Sequence, residues 1–202
     1  MRGEPAISLL AAVVVALTLT TPAAGRPAQG IAELVALRPG LLRPAVEELL
    51  AAQGFRALAI DRDLLLIEEP LMERVFEVQQ TILRFDGMGI GTGRLAAVHL
   101  RIEPDPGSSG AEVLRLYSQV RAELIRVLGR PAWERAEGFA PPGEIVYALS
   151  DGSLVRYLQW EADGLTVRAG VPRRVDGKLY LEVAITAERL PRHEAFWGLQ
   201  AF

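Results

Sequence analysis

The sequence predicts an α+β fold in which two helix-plus-antiparallel-meander units, with one shared sheet or two adjoining sheets, pack as one compact domain. Residues 44–53 and 109–128 carry apolar side chains at helical spacing. Each of these segments is followed by stretches in which apolar and polar residues alternate, which is the pattern of half-buried strands. In the last third of the chain, Asp-Gly pairs begin at residues 151, 163 and 176. Asp-Gly favours the tight turn of a β-hairpin, so these pairs predict a meander.

The chain divides into a signal peptide (1–25), a linker (26–43), the α+β domain (44–191) and an aromatic C-terminal tail (192–202). Arg2, the apolar run at residues 6–19 and small residues at 23–25 follow the order of a secretory signal peptide. The run is shorter than the about 20 apolar residues that span a bilayer, although an uncleaved anchor is the alternative. No later run reaches spanning length, so the sequence predicts a periplasmic or secreted protein with no transmembrane span in its mature part.

The first unit begins with a helix predicted over residues 44–53. Pro44 suits the first turn of a helix, and Gly54 suits its C-terminal end. Residues 55–60 and 64–68 flank a polar turn and predict a hairpin.

The unit continues with alternation at residues 76–82, a glycine-rich loop at 86–93 and a strand at 96–102. Side chains of that last strand divide between two faces: Ala96, Val98, Leu100 and Ile102 on one, and His99, Arg101 and Glu103 on the other.

The second unit opens with a helix over residues 109–128. Ser109 and Glu112 have the spacing of a capping box, and Gly129 is a natural C-terminal end. The apolar stripe that should face the core consists of Val113, Tyr117, Val120, Leu124 and Val127.

Two-residue turns at the first two Asp-Gly pairs set the register of the meander that follows. The turn at 151–152 predicts a strand over residues 145–149 opposite Leu154, and the turn at 163–164 places Trp160 opposite Val167. At the third pair, an extra residue within 172–177 is needed to keep Val183 and Ile185 on the apolar face. One face of the sheet should then hold Leu154, Leu158, Trp160, Val167, Ala169 and Val171.

A helix that ends in Leu128, Gly129 and Pro131 before a meander resembles small bacterial envelope modules of the BamE/SmpA and β-lactamase-inhibitor-like folds. The resemblance is one of organisation and implies an envelope module. BamE-type proteins are lipoproteins anchored through a cysteine, and this chain departs from them because it has none.

Composition excludes several classes of function. A chain with no cysteine has no disulfide, thiolate metal site or cysteine nucleophile. Only two histidines are present, and a net charge of −3 gives no support for nucleic-acid binding. The sequence therefore predicts no cofactor, no metal and no catalytic residue.

Short patterns that suggest chemistry have simpler structural interpretations. Asp151-Gly152-Ser153 and the Asp61-Arg62-Asp63 tripeptide read as hairpin tips rather than as a nucleophile or a metal site. The glycines at 87–93 precede a strand, whereas a phosphate loop precedes a helix. The acidic residues Glu68, Glu69 and Glu73 are interpreted as a solvated loop, and His99 as a surface histidine or one beneath an edge loop. His193 lies in a proline- and charge-rich segment and has no visible partner.

The aromatic tail is the strongest candidate for a partner-binding element. It carries four large apolar side chains, Phe196, Trp197, Leu199 and Phe202, which must dock on the body or meet a partner. The function expected is that of an exported, non-enzymatic cell-envelope module that binds another envelope protein or a cell-wall component. The alternatives are a small exported hydrolase and a lipid-binding half-barrel. A cleft that brings His99 together with two carboxylates would favour the hydrolase.

Overall fold

The computed structural model describes residues 37–67, 70–72, 76–87, 93–105, 107–162, 164–171 and 180–187. Within these ranges the helices are α1 (Arg43–Ala52), α2 (Gly110–Leu128) and α3 (Ile145–Asp151), with a 3₁₀ helix at Pro142–Glu144. The strands are β1 (Ala57–Ala59), β2 (Leu64–Ile67), β3 (Leu71–Met72), β4 (Glu77–Val78), β5 (Gln80–Asp86), β6 (Arg94–Ile102), β7 (Trp133–Glu137), β8 (Val155–Ala162), β9 (Leu165–Gly170) and β10 (Leu181–Thr186).

Eight of these strands form one antiparallel sheet in the order β1-β2-β5-β6-β10-β9-β8-β7, and β3 and β4 form a separate pair. The predicted α+β class is therefore confirmed, and in the described part of the chain more residues lie in the sheet than in helices. The last strand in the described ranges, β10, lies in the middle of the sheet, between β6 and β9.

Helix α2 forms where the sequence predicts it. The Ser109 backbone N–H donates to Glu112 Oε2 at 2.6 Å, and the Glu112 N–H donates to Ser109 Oγ at 3.3 Å, which completes the capping box. Gly129 ends the helix with a φ of 78°. The first four residues of the predicted stripe are buried, and Val127 is half-buried.

The core lies between the helices and one face of the sheet. A single cluster of 30 buried apolar residues joins side chains of all three α-helices to those of the sheet. The core face of β6 carries Val98, Leu100 and Ile102, as predicted. The prediction is wrong for Ala96, because the pairing of β5 with β6 shifts register between Arg84 and Phe85 and puts Leu95 in the core cluster instead. Leu37 also belongs to the cluster, and Leu42 pairs with Arg94, so the chain enters the fold before α1 begins.

The predicted register is confirmed for β8 and β9, and the predicted face is confirmed for Val183 and Ile185 of β10. Trp160 lies opposite Val167 across the turn at 163–164, and Val167 lies opposite Ile185. All six residues predicted for the apolar face of β8 and β9 belong to the core cluster, and Val183 and Ile185 of β10 join them. The third Asp-Gly pair lies outside the described residues.

The hairpin predicted at residues 151–152 is wrong. Residues 145–149 belong to helix α3, and Gly152 ends that helix in the left-handed conformation, with φ 82° and ψ 13°. Asp-Gly suits a left-handed helix end as well as a hairpin turn, because glycine adopts positive φ without a steric cost. The strand that pairs with β8 on this side is β7, which the sequence analysis did not predict.

Candidate functional site

The face of the sheet opposite the core carries polar and aromatic side chains, and we call it the polar face. Its residues follow from the strand register as two rows that cross the sheet. One row holds Gln80, Arg101, Glu182, Gly170, Tyr157 and Arg135, and the next holds Ile82, His99, Ala184, Arg168, Gln159 and Trp133. Tyr180, just before β10, is two residues from Glu182 and adds a further aromatic ring.

A histidine and a glutamate meet at the centre of the polar face. His99 Nδ1 on β6 lies 2.8 Å from Glu182 Oε1 on β10, and their side chains are 13% and 3% exposed. A carboxylate at Nδ1 favours the tautomer with its proton there, which leaves the lone pair on Nε2. Nε2 is buried and has no hydrogen-bond partner within the described residues. The pair could therefore supply an oriented base or a hydrogen-bond acceptor.

Arg101 lies beside this pair. Its Nη1 is 3.5 Å from Gln80 Oε1, and its Cζ lies 4.9 Å from the centre of the Tyr180 ring. The guanidinium thus combines a weak hydrogen bond with a cation–π contact.

A hydrogen-bond network occupies the other half of the polar face. Gln159 Oε1 accepts from the Tyr157 hydroxyl at 2.7 Å and from Arg168 Nε at 3.2 Å. Gln159 Nε2 donates to Glu161 Oε1 at 2.6 Å. Burial raises the pKa of Tyr157 to about 12, although the nearby Arg168 offsets part of the rise. The Tyr157 phenol is therefore a neutral donor at physiological pH.

Trp133 on the edge strand β7 extends the aromatic surface. Its ring meets that of Tyr157 edge-to-face, with 5.0 Å between centroids. Between these aromatics and His99, the two rows contain the small residues Gly170 and Ala184, so large side chains surround a shallow centre.

A separate cleft of about 210 Å³ lies near the N-terminus of α2. Its lining includes four carboxylates and one guanidinium, from Glu77, Glu103, Asp105, Glu112 and Arg115. Ser109 donates to Glu112 and holds the pKa of that carboxyl below its usual range.

The residues singled out in the sequence have mostly structural roles where they are described. Asp61 Oδ1 accepts from the Asp63 N–H at 2.7 Å, and Arg43 Nη1 donates to the Arg62 carbonyl at 2.6 Å, so the tripeptide is an anchored turn. Asp151 Oδ1 accepts from the Ser153 N–H at 2.8 Å, at the end of α3.

Several of the singled-out residues lie outside the described ranges: Phe196, Trp197, Leu199, Phe202, His193, Glu68, Glu69, Glu73 and most of the glycine-rich loop.

The alternation of apolar and polar residues predicts that His99 lies on the polar side of its strand, but the sequence analysis did not identify its partner Glu182. It also missed Tyr157, Gln159 and Arg168. The signal was available, because the predicted register of β8 and β9 puts these three on the face opposite Trp160 and Val167.

The described part of the chain holds no cluster of three or more His, Cys, Asp or Glu residues able to bind a metal ion. None of its helices is long and apolar enough to cross a membrane. No family model, curated protein or solved structure matches this chain.

Proposed function

We propose that this chain is an exported, non-enzymatic module of the cell envelope, periplasmic or secreted, that binds another envelope protein or a cell-wall component. The observation that carries the proposal is the composition of the polar face. Its partly exposed members include one aromatic residue and two arginines, Trp133, Arg101 and Arg135, and the buried side chains of Tyr157, Tyr180 and Arg168 lie on the same face beneath them. Tryptophan, tyrosine and arginine are the residue types that most often dominate binding energy at protein interfaces.

The aromatic tail is the second part of the proposal. Phe196, Trp197, Leu199 and Phe202 form the partner-binding element of the tail. Burying one such side chain gains about 1.5–3 kcal/mol, whereas ordering each residue of the backbone costs about 1–2 kcal/mol. Because the two terms are similar in size, the tail can exchange between this chain and a partner.

We further infer that the domain is assembled from two helix-plus-meander units. The strand order supports this: α1 precedes β1, β2, β5 and β6, and α2 precedes β7 to β10. The two units would then meet where β6 pairs with β10, which is where His99 contacts Glu182.

Capture from an envelope extract tests the binding function. The bait is the chain without residues 1–25, compared with the same chain lacking residues 192–202. We expect the deletion to abolish capture of a partner while lowering the melting temperature only slightly. The matched control is Tyr147→Ala, which removes an aromatic side chain that is 73% exposed on α3 and should leave capture unchanged. Equal capture by the deletion variant would place the interface elsewhere, and no captured component in any bait would contradict the binding function.

A small exported hydrolase is the second candidate, and the His99–Glu182 pair is the observation that favours it. A carboxylate that orients an imidazole is the base half of a nucleophile-activating arrangement. Turnover of ester, amide or glycoside substrates that is lost in both His99→Ala and Glu182→Gln would establish this function in place of binding. A lipid-binding half-barrel has less support, because the described helix–sheet interface is filled by the core cluster.

A further inference from the structure

The two edges of the eight-stranded sheet differ in charge. Three of the five residues of edge strand β7 (Trp133–Glu137) are charged, and Glu134 also pairs with Arg121 of α2 at 3.0 Å. Charged side chains on an edge oppose pairing with another strand. Edge strand β1 (Ala57–Ala59) has no charged residue, and all three of its residues are exposed. The edge formed by β1 is therefore the one that favours a further strand.

The backbone of β1 offers hydrogen-bonding groups on its outer side. The Ile60 N–H donates to the Leu64 carbonyl of β2 at 3.1 Å. Because the backbone groups of successive residues in a strand point to opposite sides, those of Leu58 also point to β2, and those of Ala57 and Ala59 point outward. Within the described ranges no strand pairs with β1 on that side. Two N–H and two C=O groups are thus in position to extend the sheet.

The polar face ends at this edge in an apolar strip formed by Leu58, Leu66 and Ile82. Leu58 lies opposite Leu66, and Leu66 lies opposite Ile82. Leu58 is 49% exposed, and Ile60, which follows β1, is 53% exposed. Large apolar side chains held half in water at an unpaired edge are typical of an interaction site. A strand that pairs with β1 should therefore be apolar where it meets them.

We propose that β1 pairs with β1 of a second copy of this chain, antiparallel and with a two-fold axis at Leu58. The sequence of β1 is symmetric about Leu58, as a two-fold axis requires. Each Ala57 then lies opposite Ala59 of the second copy, and these two pairs exchange backbone hydrogen bonds through their outward groups. The two Leu58 residues form a non-hydrogen-bonded pair, in which side chains come closest.

Apolar contact and charge both suit this pairing. A two-fold axis perpendicular to the sheet puts the polar faces of both copies on the same side, so the two apolar strips become one. At each end of the new ladder, Arg56 lies opposite Ile60 of the second copy, where the Asp61–Asp63 turn begins. That turn carries two carboxylates and one guanidinium. The charges that meet at both ends of the ladder are therefore opposite in sign.

Disulfide trapping of the protein recovered from the producing cell's envelope tests the position of the axis. The chain has no cysteine, so an introduced thiol can pair only with the same thiol of another copy. In Leu58→Cys the two Cα atoms would be about 4.5 Å apart, within reach of a disulfide. Ile60→Cys is the matched control, because Ile60 is similarly exposed but would be about 14 Å from its counterpart along the ladder, beyond reach.

We expect Leu58→Cys to form a disulfide-linked dimer at least about tenfold faster than Ile60→Cys, because only the first thiol meets its counterpart on the axis. Equal rates would show that the thiols meet by random collision, and a faster Ile60→Cys would show a different register. Either result, or no disulfide from either variant, would overturn the proposal. The experiment needs no other protein, so its outcome is separate from that of the capture experiment.

Sedimentation tests the backbone ladder without a cross-link. Because β1 is short, we expect a weak dimer, and the mass of the parent protein should rise as its concentration increases from about 10 µM to about 1 mM. Ala57→Pro removes an N–H that points away from β2, so it should keep the fold and weaken association at least about tenfold. Ala57→Ser keeps that N–H and is the matched control.

A parent protein that stays monomeric, or a dimer that Ala57→Pro leaves unchanged, would overturn the proposal. So would a complex with a different protein that Ala57→Pro disrupts, because β1 would then pair with a strand of that protein. If Ala57→Pro lowers the melting temperature, the disulfide rates decide.

Discussion

Two buried tyrosines differ in what their hydroxyl groups contribute. The Tyr157 hydroxyl donates to Gln159 on the polar face, whereas the Tyr117 hydroxyl is buried against the sheet with no hydrogen-bond partner in the described part of the chain. Burial raises the pKa of each to about 12. A satisfied hydroxyl stabilises the fold by about 1 kcal/mol, and an unsatisfied one costs a similar amount.

We therefore expect opposite effects from the same substitution. Tyr157→Phe should lower the free energy of unfolding by about 1 kcal/mol, because Gln159 and Arg168 lose a shared neighbour. Tyr117→Phe should leave it unchanged or raise it by up to about 1 kcal/mol. Urea denaturation at neutral pH measures both, with Tyr147→Phe as an exposed control. A clear loss of stability in Tyr117→Phe would mean that its hydroxyl has a partner.

The raised tyrosine pKa values also predict a loss of stability in alkali. Below pH 10 both phenols are neutral in the folded and unfolded chain, so they add no pH dependence. As the pH rises from about 10 to about 12, the unfolded chain releases phenol protons first, and the free energy of unfolding falls. Each pKa unit corresponds to about 1.4 kcal/mol per tyrosine. Denaturation curves measured between pH 10 and pH 12 should show a smaller fall in the free energy of unfolding for Tyr117→Phe than for the parent chain. Identical falls would contradict a raised pKa for Tyr117.

At the level of single residues, the sequence predicted positions better than partners. Alternation placed His99 on the polar side of its strand, and capping-box spacing paired Ser109 with Glu112. The contact between His99 and Glu182 joins residues 83 positions apart, and no local pattern specifies which strand lies beside β6. Long-range pairing was therefore the missing information.

Helix α2 is the element for which sequence and structure agree most closely. Leu124 is fully buried at the middle of the stripe. We expect Leu124→Ala to cost about 2–5 kcal/mol, because it leaves a cavity in the core. Arg115→Ala, on the exposed side of the same helix, should stay within about 0.5 kcal/mol. Chemical denaturation of both variants checks this, and equal losses would mean that the wrong face of α2 is buried.

The start of α2 packs so closely on α3 that only glycine fits. A Cβ on Gly110 would lie 2.3 Å from Ile145 Cβ and 3.1 Å from the Val146 nitrogen. Gly110→Ala should therefore destabilise the protein by about 1–3 kcal/mol as an overpacked site, although alanine is the better helix former. Gly143→Ala is the matched control, because nothing lies within 4 Å of its Cβ position. A stabilised Gly110→Ala variant would show that the two helices separate easily.

Helix α3 illustrates where element prediction failed. The sequence pattern at residues 145–149 predicts a strand, in which side chains alternate with a period of two. In the structure the buried residues are Ile145, Ala148 and Leu149, and their spacing is helical. A segment of five residues is compatible with the period of a helix and with that of a strand. The Asp-Gly pair that follows is compatible with a helix end and with a hairpin turn. The packing of this segment against Gly110 and α2 favours the helix over the strand. A sequence pattern over a few neighbouring residues does not show that contact.

For the whole molecule, the sequence predicts the class and the alternation of helices with strands. It leaves open whether the strands form one sheet or two, and it does not give the order of the eight strands. Period-two patterns assign faces to strands, whereas strand order depends on which edges meet in the folded chain. The polar face follows from that order, because its two rows draw on strands β5 to β10.

Export is the prediction that belongs to the whole chain. If residues 1–25 are a signal peptide, the mature protein begins between residues 24 and 28, because signal peptidases cleave after small residues. Intact-mass measurement of protein recovered from the producing cell's envelope checks this. Finding Met1 on membrane-bound protein would instead favour the uncleaved anchor.

The central position of β10 has a consequence for how this chain folds. Before residues 181–186 pair as β10, one edge of β6 and one edge of β9 have no hydrogen-bonded neighbour. The two halves of the sheet then have no strand to join them. The core then lacks Leu181, Val183 and Ile185, which are among its most deeply buried side chains. A chain emerging N-terminus first, from a ribosome or a translocation pore, therefore cannot close its sheet until residues 181–186 have passed through. Folding should show a slow final phase that is absent from a chain truncated before residue 181. Because the sheet does not close earlier, the chain should stay unfolded while it passes through a narrow channel.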